Sequence, residues 1–169
     1  MTVLEIITYP DPRLLEPSEP VALIDEGVRQ LIADMAETMF DAPGVGLAAV
    51  QVGALKQILV YQEHPEENEK SFRALINPVI VQSEGKYLSE NEGCLSVPDL
   101  RSNVQRAAKI TVKALNIDGE PIEFQAEGMH AVVLQHEIDH LNGVTLVDRV
   151  SALKREIYKR KVKKHLKAS

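Results

Sequence analysis

The run EGMHAVVLQHEIDHLNG, residues 127–143, sets how the rest of the chain is read. Its apolar residues do not alternate, so it is not a half-buried strand. Its length and closing glycine predict a helix over 127–142 that stops at Gly143. That helix is too apolar for a surface position and is expected to run through the core. Yet its last third, QHEIDH, carries two imidazoles and two carboxylates. In a helix, positions i and i+4 lie one turn apart on one face, so His136 and His140 present two nitrogens to one ion. Glu137, beside His136, is placed to reach a water there. This is the H-E-x-x-H arrangement of two ligands and a base. A polar helix face or a chance pattern is the competing reading. Burial weakens it, because buried imidazoles and carboxylates need partners.

Working outward, KITVKALN (109–116) alternates as a half-buried strand. Asn116 to Gly119 form a hairpin turn, and Pro121 to Ala126 a returning strand. Further upstream, QILVYQ (57–62) and RALINPVIVQ (73–82) read as strands, the second irregular at Asn77-Pro78. HPEENEKS (64–71) is a solvated loop. In APGVGLAAVQVG (42–53), Gly44 and Gly46 within a small apolar run indicate a tight backbone path. Asp25 caps a helix running to about Phe40, with Val28, Leu31, Ile32, Met35, Ala36 and Met39 on one face. YPDPRLLEPSEP (9–20) is an irregular, extended lead-in. A last amphipathic, basic helix covers about 151–166. Strands followed by a buried helix predict an α+β fold, with antiparallel or mixed β-sheets packed around the buried helix.

A chain of 169 residues suits a single domain, here a catalytic body of about 1–148 followed by the C-terminal helix. The one cysteine, Cys94, excludes an internal disulfide and favours a reducing compartment. The first residues have neither a cationic region nor a long apolar one, and no segment has the length of a membrane span. A cytoplasmic protein without membrane contact is therefore expected. The net charge of −6 argues against bulk binding to DNA. The charge is unevenly spread, however: LKREIYKRKVKKHLK (153–167) carries eight Lys or Arg against the single acid Glu156. Such asymmetry points to a polyanionic partner.

Two histidines do not complete a metal site, and a catalytic ion keeps a further position for water. His64 falls in the solvated loop and His165 in the basic tail. His130 lies on another side of the helix, and all three read as surface or packing residues. Asp148 reads as part of the approach to the last helix. Cys94, in ENEGCLSVP (90–98), follows a glycine at a bend. Residue chemistry alone leaves it open between a third ligand and a small buried hydrophobe.

Taken together, GVGLAAVQ (44–51), EGCLS (92–96) and QHEIDH (135–140), in this order and at these distances, resemble the three signature motifs of the peptide deformylases. The proline-rich start and basic C-terminal helix resemble the bacterial enzymes of that family. The resemblance implies removal of the formyl group from the N-terminal formyl-methionine of nascent chains. It implies Cys94, His136 and His140 around one divalent ion, Fe²⁺ natively, with Zn²⁺, Ni²⁺ or Co²⁺ able to replace it. Water at that ion attacks the formyl carbon, with Glu137 as general acid and base. The oxyanion is met by the side-chain amide of Gln51 and the backbone N–H of Leu95. Without the resemblance, Gln51 would read as a solvated polar residue.

The same resemblance places Gly46, Glu92 and Gly93 at the substrate. The methionine side chain enters a pocket near Val45, Met129, Val132 and Val133, and Arg101 matches a substrate-contacting arginine, with a surface salt bridge as its competing reading. Glu90 departs from the apolar residue that relatives often carry there; it is expected to turn outward or to make the rim more polar. Asp139 is expected to support the site by hydrogen bonding, with Arg106 as its partner. The implied partners are formyl-methionyl nascent chains and the ribosome, the latter through the basic helix, with the protein a monomer. A peptide-cleaving metalloprotease would share two ligands and the base but not Cys94 or Gln51.

Overall fold

The computed structural model describes residues 2–67 and 70–168. Its elements in chain order are α1 (Glu26–Asp41), β1 (Gly46–Ala48), β2 (Ile58–Gln62), β3 (Phe72–Glu84), β4 (Tyr87–Cys94), β5 (Val97–Arg106), β6 (Lys109–Leu115), β7 (Pro121–Glu127), α2 (Gly128–Leu141), α3 (Leu146–Arg149) and α4 (Ala152–Ala168). Two 3-10 turns, Pro12–Leu15 and Ala49–Val52, complete them. Five strands form one antiparallel sheet in the order β1-β2-β3-β6-β7, and β4 pairs with β5 in a separate hairpin. The fold is α+β. Among the described residues, the mixed pairing allowed from sequence is limited to one isolated parallel bridge, Glu19 to Lys56.

β2 shows why the strands read as they do. Successive side chains point to opposite faces, and both faces of β2 are covered. Leu59 and Tyr61 join the cluster under α2, with Ala131, Leu134, Ile138 and Leu141. Ile58 and Val60 join the cluster under α1, with Val28, Ile32, Met35 and Met39. A strand buried on both sides is continuously apolar, as QILVYQ is. α1 and α2 therefore lie on opposite faces of the sheet, each contributing roughly 1.5–3 kcal/mol per large side chain removed from water. Asp25 caps α1 by accepting a hydrogen bond from the Val28 N–H at 2.9 Å.

The irregularity at Asn77-Pro78 is a break in register between β3 and β6. Asn77 takes φ 53°, and its side chain bonds both the N–H and the C=O of Val21 at 2.8 and 2.9 Å. The defect in the strand thus fastens the lead-in to the sheet. α2 ends at Gly143, whose φ of 75° suits a left-handed cap. The Val144 N–H bonds back to the Asp139 carbonyl at 2.9 Å. A Cβ at 143 would stand 2.7 Å from the Leu15 carbonyl oxygen, so this glycine also lets the lead-in pass close by.

One expectation needs correction. The bend expected around Cys94 is the tip of a hairpin, β4–β5, that spans Tyr87–Arg106 with a two-residue turn at Leu95–Ser96. α4 has the expected place and charge, and little of it is covered by the body. Only Tyr158 is buried in it, while Leu153, Ile157 and Leu166 are exposed. Tyr158 packs on Val97, Leu100 and Val104 and donates to the Pro98 carbonyl at 2.8 Å. Asp148 caps the short α3 by accepting from the Thr145 N–H at 2.9 Å, in keeping with its expected place before the last helix. No helix among the described residues is long and apolar enough to cross a membrane.

Candidate active site

α2 brings His136 and His140 to one side of the core, and the end of β4 brings Cys94 to meet them. The Cys94 Sγ and one nitrogen of each imidazole lie within 4.8 Å of one another, and among the described residues no fourth His, Cys, Asp or Glu joins this group. Cys94 Sγ is 3.2 Å from His140 Nε2, and the two rings stand 5.0 Å apart at 70°. A thiol and two imidazoles of this spacing fit a divalent first-row metal ion. Buried polar atoms left over point the same way: His140 Nδ1 and Glu137 Oε1 have no hydrogen-bond partner among the described residues.

The charges around the three donors are arranged by burial and by one ionic chain. His136 Nδ1 bonds the Glu92 carboxylate at 2.9 Å, which leaves Nε2 for the ion side. Glu92 is also paired with Arg106, and Arg106 Nη1 donates to Asp139 at 2.7 Å. Arg149 closes the chain on Asp139 through two bonds of 2.8 and 3.0 Å. Burial would raise the Glu92 carboxyl, but the bonds from His136 and Arg106 outweigh it and hold it at about 2. Burial lowers both imidazoles. At His136 the Glu137 carboxylate, Cys94 and Glu92 reverse this and hold it well above its ordinary value, whereas His140 stays well below. Burial pushes the Glu137 carboxyl up to about 7, although charged His136 pulls against it. A carboxyl poised near neutrality is suited to moving protons in both directions.

Gln51 is fully enclosed and its orientation is fixed by chemistry. The Ala48 N–H can only donate, and it donates to Gln51 Oε1 at 2.9 Å. The amide nitrogen must then face the site, where it donates to Ser96 Oγ at 3.0 Å and lies 3.9 Å from Cys94 Sγ. Gly46 of β1 lies against Glu137, because a Cβ there would stand 2.7 Å from Glu137 Oε2. Gly44 is nearly as close to Leu95, with 3.1 Å between its would-be Cβ and the Leu95 side chain. The two glycines explain the tight path anticipated at 42–53.

A cleft of about 410 Å³ opens from these groups to solvent. Val45, Gly46, Glu92, Gly93, Leu95, Arg101, Met129, Val132 and Val133 all line it. Val132 is buried, whereas Met129 and Val45 are exposed at the mouth. The Glu92 carboxylate, at the wall of the cleft, is bonded to His136 and Arg106. Arg101 makes no ion pair among the described residues; it lies over Gly93 and donates to the Asn91 carbonyl at 3.1 Å.

His130 stacks between Tyr61 and Phe124, away from the three donors, and His64 is in the exposed loop. Asp139 does meet Arg106, as anticipated. Sequence reasoning missed Ser96 and Gln135. Gln135 of α2 clamps the backbone of Ala107 through two 2.9 Å bonds and so fixes the helix against the β5–β6 connection. The clue was present in both: a polar residue inside an apolar run needs a partner.

The family model for polypeptide deformylase matches residues 3–156. The peptide deformylase of Desulfosudis oleivorans is 52% identical over 167 residues, covering 99% of this chain and 96% of the relative. The crystal structure of a peptide deformylase from Legionella pneumophila superposes with a TM-score of 0.89 at 44% identity, covering 99% of this chain and 97% of that one. The peptide deformylase from Ehrlichia chaffeensis in complex with actinonin gives 0.88 at 44% identity, with 98% of both chains covered. With the motifs, the fold and the ligand geometry in agreement, the chain belongs to the polypeptide deformylase family.

Proposed function

We propose that this metal-dependent deformylase hydrolyses the N-formyl amide of formyl-methionine on nascent polypeptides by the following division of labour. The observation that carries the reading is the convergence of Cys94, His136 and His140 within 4.8 Å, beside a Glu137 oxygen that lacks a partner among the described residues. These three side chains would hold one divalent ion, Fe²⁺ natively, with Zn²⁺, Ni²⁺ or Co²⁺ able to use the same donors. When bound, the ion supplies Lewis acidity that brings the pKa of water toward neutrality. Glu137 takes a proton from the attacking water and later delivers it to the leaving amine. The water oxygen bonds the formyl carbon, the C–N bond breaks, and formate and a free α-amine leave. The Gln51 amide and the Leu95 backbone N–H donate to the negative charge that builds on the formyl oxygen. Val45, Met129, Val132 and Val133 receive the methionine side chain, while Gly46 and Gly93 leave room for an extended peptide backbone.

The test is formate release from formyl-Met-Ala-Ser by anaerobically purified, metal-analysed protein, alongside an internally quenched peptide. Formate from the first without cleavage of the second is expected. Glu137→Gln should retain the metal and lose turnover by about 10²–10⁴-fold. Cleavage of only the quenched peptide, or an active Glu137→Gln variant, would overturn the reading.

The basic helix is assigned a second role, docking to ribosomal RNA. Its first turn belongs to the body: Lys154 bonds Ser102 Oγ at 3.3 Å, and Arg155 bonds the carbonyls of Val147, Asp148 and Val150. Beyond Tyr158, Lys159, Arg160, Lys161, Lys163, Lys164 and Lys167 are exposed. Deleting residues 159–169 removes these cations and keeps the Tyr158 anchor. Co-sedimentation with ribosomes should fall, should be steeply salt-sensitive in the intact chain, and formate release from short peptides should persist. Undiminished co-sedimentation would leave the helix as a solubilising tail.

A further inference from the structure

The wall of the cleft contains a local break in the β4–β5 pairing whose effect falls on one side chain. Ser89 pairs with Val104 and Glu92 with Ser102, so Glu90 and Asn91 face a single residue, Asn103. This is a β-bulge, a device that re-aims a side chain. Asn91 takes φ 52° and is held from both ends. Its N–H donates to Asn103 Oδ1 at 2.9 Å, and its carbonyl accepts from Arg101 at 3.1 Å.

The consequence can be read from the alternation. Ser89 and Glu92 both face inward, which an unbroken strand could not do with two residues between them. In regular register Glu90 would share the inward face of Glu92 and Cys94. The bulge lifts it to the exposed rim instead, where it lines the same cleft as Asn91, Arg101 and Met129. Glu90 makes no hydrogen bond or ion pair among the described residues. The cleft thus carries, on an exposed residue, a carboxylate with no partner among the described residues, while the more buried Val132 and Val133 supply apolar lining.

We propose that Glu90 is a specificity-determining residue that favours substrates with a lysine or arginine in the two residues after the formyl-methionine. The inference rests on the deformylase reading of the cleft. The apolar wall takes the first side chain, and the residues that follow pass over the rim. An extended peptide advances about 3.3 Å per residue, so both following side chains come within reach of a rim charge. The carboxylate attracts a cation there, and the neighbouring Arg101 cannot supply that attraction because it has the opposite sign.

The experiment compares kcat/KM for formate release from formyl-Met-Lys-Ser and formyl-Met-Ala-Lys with that for formyl-Met-Ala-Ser. The variants are Glu90→Gln and Glu90→Lys. An exposed pair of this kind is expected to give the wild type a preference for at least one lysine substrate that is about two- to five-fold larger than in Glu90→Gln. Glu90→Lys should carry the ratio further in the same direction, to discrimination against lysine. Raising the salt toward 1 M, where charges are screened over about 3 Å, should bring the wild-type ratio to that of Glu90→Gln. Ratios unchanged across the three proteins, or unaffected by salt, overturn this inference and leave the deformylase reading intact. Failure to release formate from any of the peptides overturns both.

Discussion

Gly46→Ala tests the placement of Glu137 without touching any side chain assigned to the chemistry. Gly46 is not among the residues with positive φ, so its backbone accepts alanine. The obstacle is space. The added methyl would stand 2.7 Å from Glu137 Oε2, 3.0 Å from Glu137 Cγ and 3.0 Å from Val133 Cγ1, where ordinary contacts begin at 3.4 Å. Gly46 is paired with Tyr61 in the sheet, so the strand is held and the carboxylate must give way by about 0.7 Å. A displacement of this order at a catalytic group costs up to about 100-fold in rate. Overpacking costs about 1–3 kcal/mol of stability. Lost glycine freedom in the unfolded chain returns about 0.4–1 kcal/mol. The expected result is therefore a folded, metal-loaded protein whose kcat for formate release falls about 10- to 100-fold with a smaller change in KM. The assay is initial-rate formate release, with metal content and thermal unfolding measured on the same preparation. Wild-type kcat in a metal-loaded Gly46→Ala protein would refute the argument that this contact positions the base. Loss of metal together with activity would place the damage at the ligands instead.

Glu92→Gln removes a charge that both His136 and Arg106 lean on, with the Arg106 side chain only 4% exposed. Metal affinity, read by chelator competition, should drop about 10- to 100-fold. Denaturant unfolding should show a loss of about 3–5 kcal/mol, towards the low end because Asp139 still pairs with Arg106. Unchanged metal affinity would show that the bond to His136 does not orient the ligand. Burial pushes the Tyr158 phenol up to about 12. Its folded value lies above the unfolded 10, so the neutral phenol favours the folded state fully below pH 10, and this contribution is lost as pH rises toward about 12. Near-ultraviolet phenolate absorbance should show Tyr158 ionising late, and Tyr158→Phe should reduce that late component. Burial also drives Tyr61 up to about 12 and raises Tyr9, so a late component from these phenols remains in Tyr158→Phe and only its amplitude falls.

Local pattern carried much of this molecule. The helical spacing of Val28, Ile32, Met35 and Met39, the unbroken apolar run of β2 and the alternation of β6 each follow from a repeat that neighbouring residues alone establish. The hairpin β4–β5 escaped because glycine, proline and two bulged positions break the alternation over 87–106, and the stabilising pairs lie across the hairpin. α4 was legible as a helix, but how much of its apolar side is covered was not: the body offers a seat for little more than Tyr158. A helix face is buried only where another surface exists to cover it.

The sequence by itself determined the helix that holds His136, Glu137 and His140, since their spacing is a property of helical geometry. It left Cys94 undecided between ligand and small hydrophobe, and Gln51 looked like a surface residue. Only the tertiary structure brought the thiol to 3.2 Å from His140 and turned the Gln51 amide inward. Only there did Glu92 become the partner of His136, 44 residues away along the chain. The reason is physical: periodicity is fixed by bonds between near neighbours, whereas a polar group's partner is fixed by which distant segment excludes water from it.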